Sequence, residues 1–391
     1  MEEILSYFEF TELELIFLLT FGILWLIQVF FYFVYYRKPL VYRKKQMSRE
    51  IDIHSSLVKP SVSVVIISKN ESVSLEKNLP FVLSQDYPDF EVIVVNDGST
   101  DESEEVLRRL EHTNPHLYHT FSPDSRDRKL SMTIGIKATT KDVLLFTEAS
   151  CKPLSDQWIE QMMEHLTDQT EVVLGYSYYE GDTSFYNRMA NFDGLYFSLQ
   201  YLSKAILKHP YTGTFRNLAF RRKLFFDHKG FSEVLNYDSC EDVFINKVMN
   251  KENVTVSLSQ DSFTSMVLDS YSLWKNIRVT YKRAENHFKG GRHNIFSVET
   301  LSRLLFYLVF VLLLAYGIVL ENWAFVGVVG LLFAIRLLIQ MIIINKAGKY
   351  FKTSTFYWSF ILCDILQPFY NWSFGLLSRK KDNQKYRSVH M

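Results

Sequence analysis

Four stretches of this 391-residue chain carry side chains suited to chemistry on a charged substrate. They are Ser68-Lys69-Asn70-Glu71, Asn96-Asp97-Gly98-Ser99-Thr100-Asp101, Glu148-Ala149-Ser150-Cys151-Lys152-Pro153 and Glu241-Asp242. Carboxylates that meet in one cleft can hold a hard divalent cation, since such ions prefer oxygen ligands. A carboxylate within about 3 Å of a hydroxyl can also take its proton. Each stretch has a plainer reading as well. Residues 96–101 make good strand-to-helix turn chemistry with Asp101 as a cap, and Glu241-Asp242 suits the acidic first turn of a helix. Cys151 and Cys240 adjoin two of these stretches; a Cys/Glu/Asp metal site is conceivable, but a small buried thiol is the ordinary state of such residues. None of the histidines has metal-ligating spacing.

The apolar pattern says how these stretches are positioned. Residues 62–67 form a β-branched run, as a strand buried on both faces should. Helical spacing follows over 75–83, Pro88 breaks the chain, and 90–95 is a second strand. After the 96–101 turn, helices are expected over 102–110 and 130–138, a third strand over 142–146 and a later helix over 242–249. Alternating strands and helices imply an α/β fold with a mostly parallel central sheet and helices on both faces. Ligands in such sheets sit beyond the carboxyl ends of the strands, so the polar stretches gather on one edge.

Acidic and basic residues balance at 43 each, which argues against a nucleic-acid binder. The chain holds 32 Phe and 23 Tyr, concentrated toward its ends, as membrane interfaces favour. Three cysteines cannot pair completely, and a disulfide framework is not expected. Residues 15–36 are apolar apart from Gln28 and long enough to span a bilayer, where about 20 helical residues suffice. The start of the chain is acidic, unlike a signal peptide. Arg37, Lys38, Arg43, Lys44 and Lys45 follow the span and place that flank in the cytosol by the positive-inside rule. Two further spans are expected over 304–320 and 323–344, with Lys346, Lys349 and Lys352 marking a return to the cytosol. Residues 355–377, interrupted by Asp364, Gln367 and Pro368, read as a re-entrant or interfacial segment, with a fourth span left open. Arg336 and Gln340 lie inside a span, so their face should turn toward protein. The expected organisation is an N-terminal anchor (1–37), a basic linker (38–60), a cytosolic domain (61–270), an interfacial amphipathic segment (271–300), a membrane region (301–378) and a basic tail (379–391). Lys282, Arg283, Lys289 and Arg292, with Trp274 and Phe288, suit a helix and loop lying on anionic lipid, and a merely basic juxtamembrane helix is the alternative reading.

Residues 63–71, the run Gln85-Asp86-Tyr87-Pro88 and residues 94–101 together resemble the opening of family 2 glycosyltransferases, which share the GT-A fold. The resemblance continues through Lys129, Gly135, residues 148–153 and Trp158. It resumes at residues 213–219, Gly230-Phe231 and Glu241-Asp242, covering about half the chain in ordered motifs. Membrane-bound members that extend polysaccharides or glycosylate lipids share the flanking spans.

The resemblance implies roles residue by residue. Asp97 would receive the nucleotide base with Ser68 and Glu71 beside it, and Lys129 would offset charge near the base or diphosphate, a solvated surface lysine being the alternative reading. Glu148-Ala149-Ser150 stands where the family places a metal-holding Asp-x-Asp, and Asp242, next to Glu241, matches the general base. Arg216 and Asn217 fall on the acceptor side, although an Asn holding a loop is an equal reading. Ser150 is neutral where the family has its second Asp, so weakened Mg²⁺ or Mn²⁺ affinity is expected. The family's later Gln-x-x-Arg-Trp motif is eroded to residues 280–284, keeping only Arg283, which speaks against processive synthesis. The function implied is transfer of a hexose or N-acetylhexosamine from a nucleotide-diphosphate sugar to a lipid-linked or membrane-proximal glycan. Its setting is an integral protein of the inner cell membrane with a cytosolic catalytic domain. The alternative is a catalytically silent homologue that binds nucleotide-sugar or partner subunits in an envelope-polysaccharide complex.

Overall fold

A computed structural model describes residues 10–49, 59–122, 128–167, 169–181, 183–237, 239–291 and 294–388. Residues 1–9 of the expected anchor, 50–58 of the expected linker, Arg292 of the expected interfacial segment and 389–391 of the expected tail lie outside the described residues.

Strand β1 (Val62–Ser68) is buried along its whole length and pairs in parallel with β2 (Phe90–Asn96) and β4 (Val143–Phe146). Strand β3 (Leu117–Phe121) adds to β2 in parallel. On the other side the sheet turns mixed. Strand β8 (Leu218–Arg221) runs antiparallel to both β4 and β6 (Val172–Leu174), and β9 (Val254–Val256) closes that edge beside β6. A smaller sheet joins β5 (Cys151–Pro153), β10 (Thr264–Val267) and β7 (Ser177–Glu180), with β10 in the middle.

Side chains alternate across a strand, so β1 feeds two apolar layers. Val64 and Ile66 pack with Leu75 and Leu79 of helix α3 (Ser72–Leu83), and with Trp158 at the start of α6 (Trp158–Met163). Val65 and Ile67 pack with Met132 and Ile136 of α5 (Arg128–Ala138) on the other face. Gly135 lets α5 approach closely: a Cβ there would stand 3.0 Å from Val95 and 3.1 Å from Val65. Helix α4 (Ser103–Thr113) follows the turn after β2. The remaining helices of the domain are α7 (Phe185–Ile206), α8 (Arg222–Asp227) and α9 (Cys240–Val248).

Among the described residues three helical segments are long and apolar enough to cross a membrane. The first is α1 (Glu12–Phe31), continued through a π-helical turn (Tyr32–Tyr36) into α2 (Lys38–Arg49). It starts on a capping box, in which Thr11 Oγ1 accepts from Glu14 N and the Glu14 carboxylate accepts from Thr11 N. The others are α11 (Ile295–Val319) and α12 (Trp323–Tyr350), which follow α10 (Tyr271–Glu285). Phe21 of α1 stacks on Phe306 of α11 at 4.6 Å. The start of the expected linker is thus helix α2.

Residues 355–377, expected as a re-entrant or interfacial segment with a fourth span left open, enter one helix, α13 (Phe360–Ser388), which runs through Pro368 and is not among the candidate spans of the described residues. Its Asp364 and Gln367 are buried, and buried charges need partners. Asp364 binds Arg303 at 2.8 Å and Arg336 at 3.3 Å, and Arg336 also donates to Gln28. Arg336 and Gln340 are both fully buried. The network reaches the domain through Gln367, which accepts from Arg303 and donates to Asp193 of α7; Asp193 in turn pairs with Arg278 of α10 at 2.8 Å. Helix α10 is therefore fastened to protein. Trp274, expected on lipid, is fully buried against Tyr370 and Phe374, and Phe288 packs beside Tyr281.

Candidate active site

The loop after β1 and the turn after β2 are knitted together by their own polar groups. Asn70 adopts φ 55°, its amide donates to Ser99 Oγ and its side-chain oxygen accepts from Thr100 N. Asp101 accepts from Ser72 N and Ser103 N, capping α3 and α4 together. Burial alone would raise the Asp101 carboxyl, yet the bonds from Ser103 and Ser72 draw it down to about 2. The capping reading of Asp101 thus describes its contacts.

A cleft of about 730 Å³ opens at the carboxyl ends of β1 and β4. Glu71, Glu148, Ser150, Arg216, Glu241 and Asp242 all line it, so five carboxylates and cations from four distant segments meet there with one hydroxyl. Arg128, at the start of α5, joins them. Its Nε lies 3.3 Å from Glu241 and its Nη2 3.9 Å from Glu148. Tyr179 and Met266 of the small sheet and Arg278 and Tyr281 of α10 form the far wall.

Electrostatics follow from this crowding. Burial, then the charge of Glu148, pushes the Glu71 carboxyl up to about 7. Asp242 is held well above the ordinary carboxylate range by burial and then by Glu241, with Arg128 and Arg216 pulling the other way. Both Glu241 and Asp242 sit in the first turn of α9, so the helix-start reading and the cleft reading hold at once. Arg216 is largely buried, with its guanidinium 4.8 Å from the Tyr179 ring centre and its Nε donating to Thr214.

The other sequence-derived residues lie outside the lining of the cleft. Asp97 and Ser68 are buried at the ends of β2 and β1, where Asp97 N donates to Ser68 O and the Asp97 carboxylate accepts from Ser131 Oγ at 2.5 Å. Lys129 Nζ donates to the backbone carbonyl of Leu235, and its neighbour Arg128 is the cation facing the carboxylates. Asn217 is fully buried and holds three elements. It accepts from Trp158 Nε1 and donates to the carbonyls of Tyr176 and Ser262. Gly175 makes room for it, since a Cβ there would come within 2.5 Å of the Asn217 side chain. Arg283 is not part of the lining; the arginine of α10 that is, Arg278, has no counterpart in the sequence reading. Arg128 was equally invisible, because it sits in no motif.

Among the described residues no group of three or more His, Cys, Asp or Glu side chains converges as a metal cage. Cys151 is buried, which pushes its thiol up to about 12, and the Cys240 thiol points to Glu241 at 3.6 Å. The donors available to a hard ion are the Glu148 carboxylate and the Ser150 hydroxyl, with Glu71 and Asp242 in the same cleft. That oxygen-only set fits an ion that completes its shell with phosphate oxygens.

Comparison with known proteins agrees with this architecture. Residues 63–227 match the family described as Glycosyl transferase family 2. Glycosyltransferase AglE of Haloferax volcanii is 32% identical over 104 residues, which cover 26% of this chain and 34% of that protein. Poly-beta-1,6-N-acetyl-D-glucosamine synthase of Staphylococcus aureus is 24% identical over 129 residues, 33% of this chain and 29% of that protein. The match spans about a third of the length of these curated relatives. A solved mannosyltransferase of Pyrobaculum calidifontis, in complex with GDP-mannose and Mn²⁺, superposes with a TM-score of 0.54 at 14% identity, covering 92% of this chain and 98% of that one. That likeness shows a GT-A-like α/β fold.

Proposed function

We propose, from the premise that this chain carries a family 2 glycosyltransferase domain, that it moves a hexose or N-acetylhexosamine from a nucleoside-diphosphate sugar to a lipid-linked or membrane-proximal glycan with inversion. The observation that carries this reading is the single cleft in which Glu71, Glu148, Glu241 and Asp242 share walls with Arg128 and Arg216. In an inverting transfer the acceptor oxygen bonds to the anomeric carbon as the bond to the diphosphate breaks, and the acceptor proton passes to a base. Asp242 is that base. Burial and the neighbouring Glu241 raise its proton affinity, and a stronger base assists the attack. Arg128, poised between Glu241 and Glu148, offsets charge on the leaving diphosphate. Glu71, with Asp97 and Ser68 at the neighbouring strand ends, serves the nucleotide side.

Glu148 and Ser150 would hold a divalent ion, Mg²⁺ or Mn²⁺, which when bound supplies positive charge to the diphosphate. Ser150 is neutral, so the attraction is weaker than two carboxylates would give. The structural neighbour solved with GDP-mannose and Mn²⁺ supports the donor class and the kind of ion.

A second cavity of about 740 Å³ lies between α10, α11 and α13 and shares Phe197, Arg278 and Tyr281 with the catalytic cleft. Leu301, Leu304, Phe369 and Trp372 also line it, and α11 is a candidate span. An amphiphilic acceptor entering there from the bilayer would bring its polar end to Asp242, which supports a lipid-linked acceptor. The basic residues following α1 and ending α12 support a cytosolic catalytic domain.

The test uses the full chain in nanodiscs with a panel of nucleotide-diphosphate sugars, with and without Mn²⁺. Donor binding is read by thermal shift and transfer by radiolabelled sugar. Asp242→Asn should keep donor binding and lose roughly 10²–10⁴-fold in turnover, the range for a lost general base. A variant that turns over like wild type, or a wild type that binds no donor, defeats the reading.

A further inference from the structure

We propose that the groove between the α1–α2 segment and α12 is a binding site for an anionic phospholipid of the surrounding bilayer, with its phosphate held by Arg37, Lys44, Lys346 and Lys349. The groove encloses about 750 Å³ and shares no lining residue with the catalytic cleft. Its four cations come from two segments some 300 residues apart in sequence and converge only through the packing of these helices. No acidic side chain is among the described residues lining it.

The contrast with the other cavities is informative. Arg128 faces carboxylates, Arg278 pairs with Asp193 and Lys282 pairs with Glu285. Among the described residues none of the four groove cations forms an ion pair; Arg37 lies only over the Phe33 ring, at 5.7 Å. Four like charges around one hollow repel each other, and an anion placed among them relieves that repulsion. Free phosphate would satisfy the charge alone. The remaining walls favour a lipid, because Phe33, Ile339 and Ile342 present apolar surface where acyl chains run. Both segments belong to helices able to cross a membrane, so the cations stand at the level of phospholipid headgroups.

The floor of the groove ties it to the domain. Gln260 lines it and donates to the Tyr350 carbonyl at 2.6 Å, and Tyr350 OH donates to Leu258 O at 2.6 Å. A lipid seated there bridges α2, α12 and the segment leading into β10.

The experiment compares the full-length protein in nanodiscs of phosphatidylcholine alone and of phosphatidylcholine with phosphatidylglycerol. Lipid retained after delipidation is counted by native mass spectrometry, and the unfolding temperature is recorded in each disc. Wild type should retain phosphatidylglycerol in preference to phosphatidylcholine and unfold at higher temperature in the mixed discs. Lys346→Gln with Lys349→Gln, and separately Arg37→Gln with Lys44→Gln, should each weaken retention roughly 30-fold, or about 2 kcal/mol for two headgroup-level charges. Lys346→Arg with Lys349→Arg should restore it. Lys223→Gln with Lys251→Gln removes the same charge from exposed sites elsewhere and should leave retention unchanged. Equal retention of both lipids by wild type, an equal loss in the Lys223/Lys251 variant, or displacement of the lipid by inorganic phosphate would overturn the proposal.

Discussion

Glu71→Gln should make the protein more stable above neutral pH while weakening its hold on a nucleotide-sugar. In the folded chain burial, and then the charge of Glu148, moves the Glu71 carboxyl from 4.5 to about 7. The folded state therefore holds this proton more tightly than the unfolded state does, so the group costs stability as pH rises from 4.5 to about 7 and keeps that cost beyond. Each pH unit of separation is worth 1.36 kcal/mol, which sets a ceiling of about 3 kcal/mol. Glu71 is only partly shielded from solvent, and about 2 kcal/mol is the expected value. Gln keeps the shape and sheds the charge. The assay is thermal unfolding of wild type and variant, followed by tryptophan fluorescence from about pH 4.5 to about pH 8. The two melting temperatures should coincide at the acid end and diverge through neutrality, with the variant higher by a few degrees. A gap that does not change with pH, or a variant that melts lower at the alkaline end, would refute the electrostatic account of the cleft.

Two further substitutions separate neighbouring residues by role. Arg128→Met should lower turnover roughly 10²-fold by removing the charge that faces Glu148 and Glu241, whereas Lys129→Met, whose ammonium is bonded to Leu235 O, should leave donor affinity within about twofold. Steady-state rates and donor titrations on the two variants decide this. Asn217→Ala strands Trp158 Nε1 and the carbonyls of Tyr176 and Ser262, so it should cost about 3 kcal/mol of stability; a variant with wild-type melting and a raised acceptor KM would return Asn217 to the acceptor side.

Much of the parallel half of the sheet is legible in the chain, because β1, β2 and β4 are short apolar runs followed by polar turns, and their burial on both faces demands that composition. Strand β3 is not. Leu117 is its single fully buried residue, and at an edge strand the remaining side chains are free to be polar. The antiparallel half escaped as well: β6 and β9 are three residues each, too short for a period, and their pairing depends on β8 returning beside β4. The candidate spans were legible from length and hydropathy, although α11 begins nine residues before the expected boundary, where Glu299 and Arg303 interrupt the apolar run and pair with each other at 3.4 Å, buried among the helices.

By itself the amino-acid order determined which loops carry acid and hydroxyl groups, that they follow strands, and where apolar length suffices to cross a bilayer. These are local properties, written in side-chain type and period. Tertiary structure decided which of those groups share a cleft. It brought Arg128 and Arg278 in and turned Lys129 toward Leu235. It committed Asn217 to holding loops and gathered Arg37, Lys44, Lys346 and Lys349 around one groove. The physical reason is that a side chain's partner depends on the direction its backbone gives it and on which distant element packs there, and neither is encoded in its neighbours along the chain.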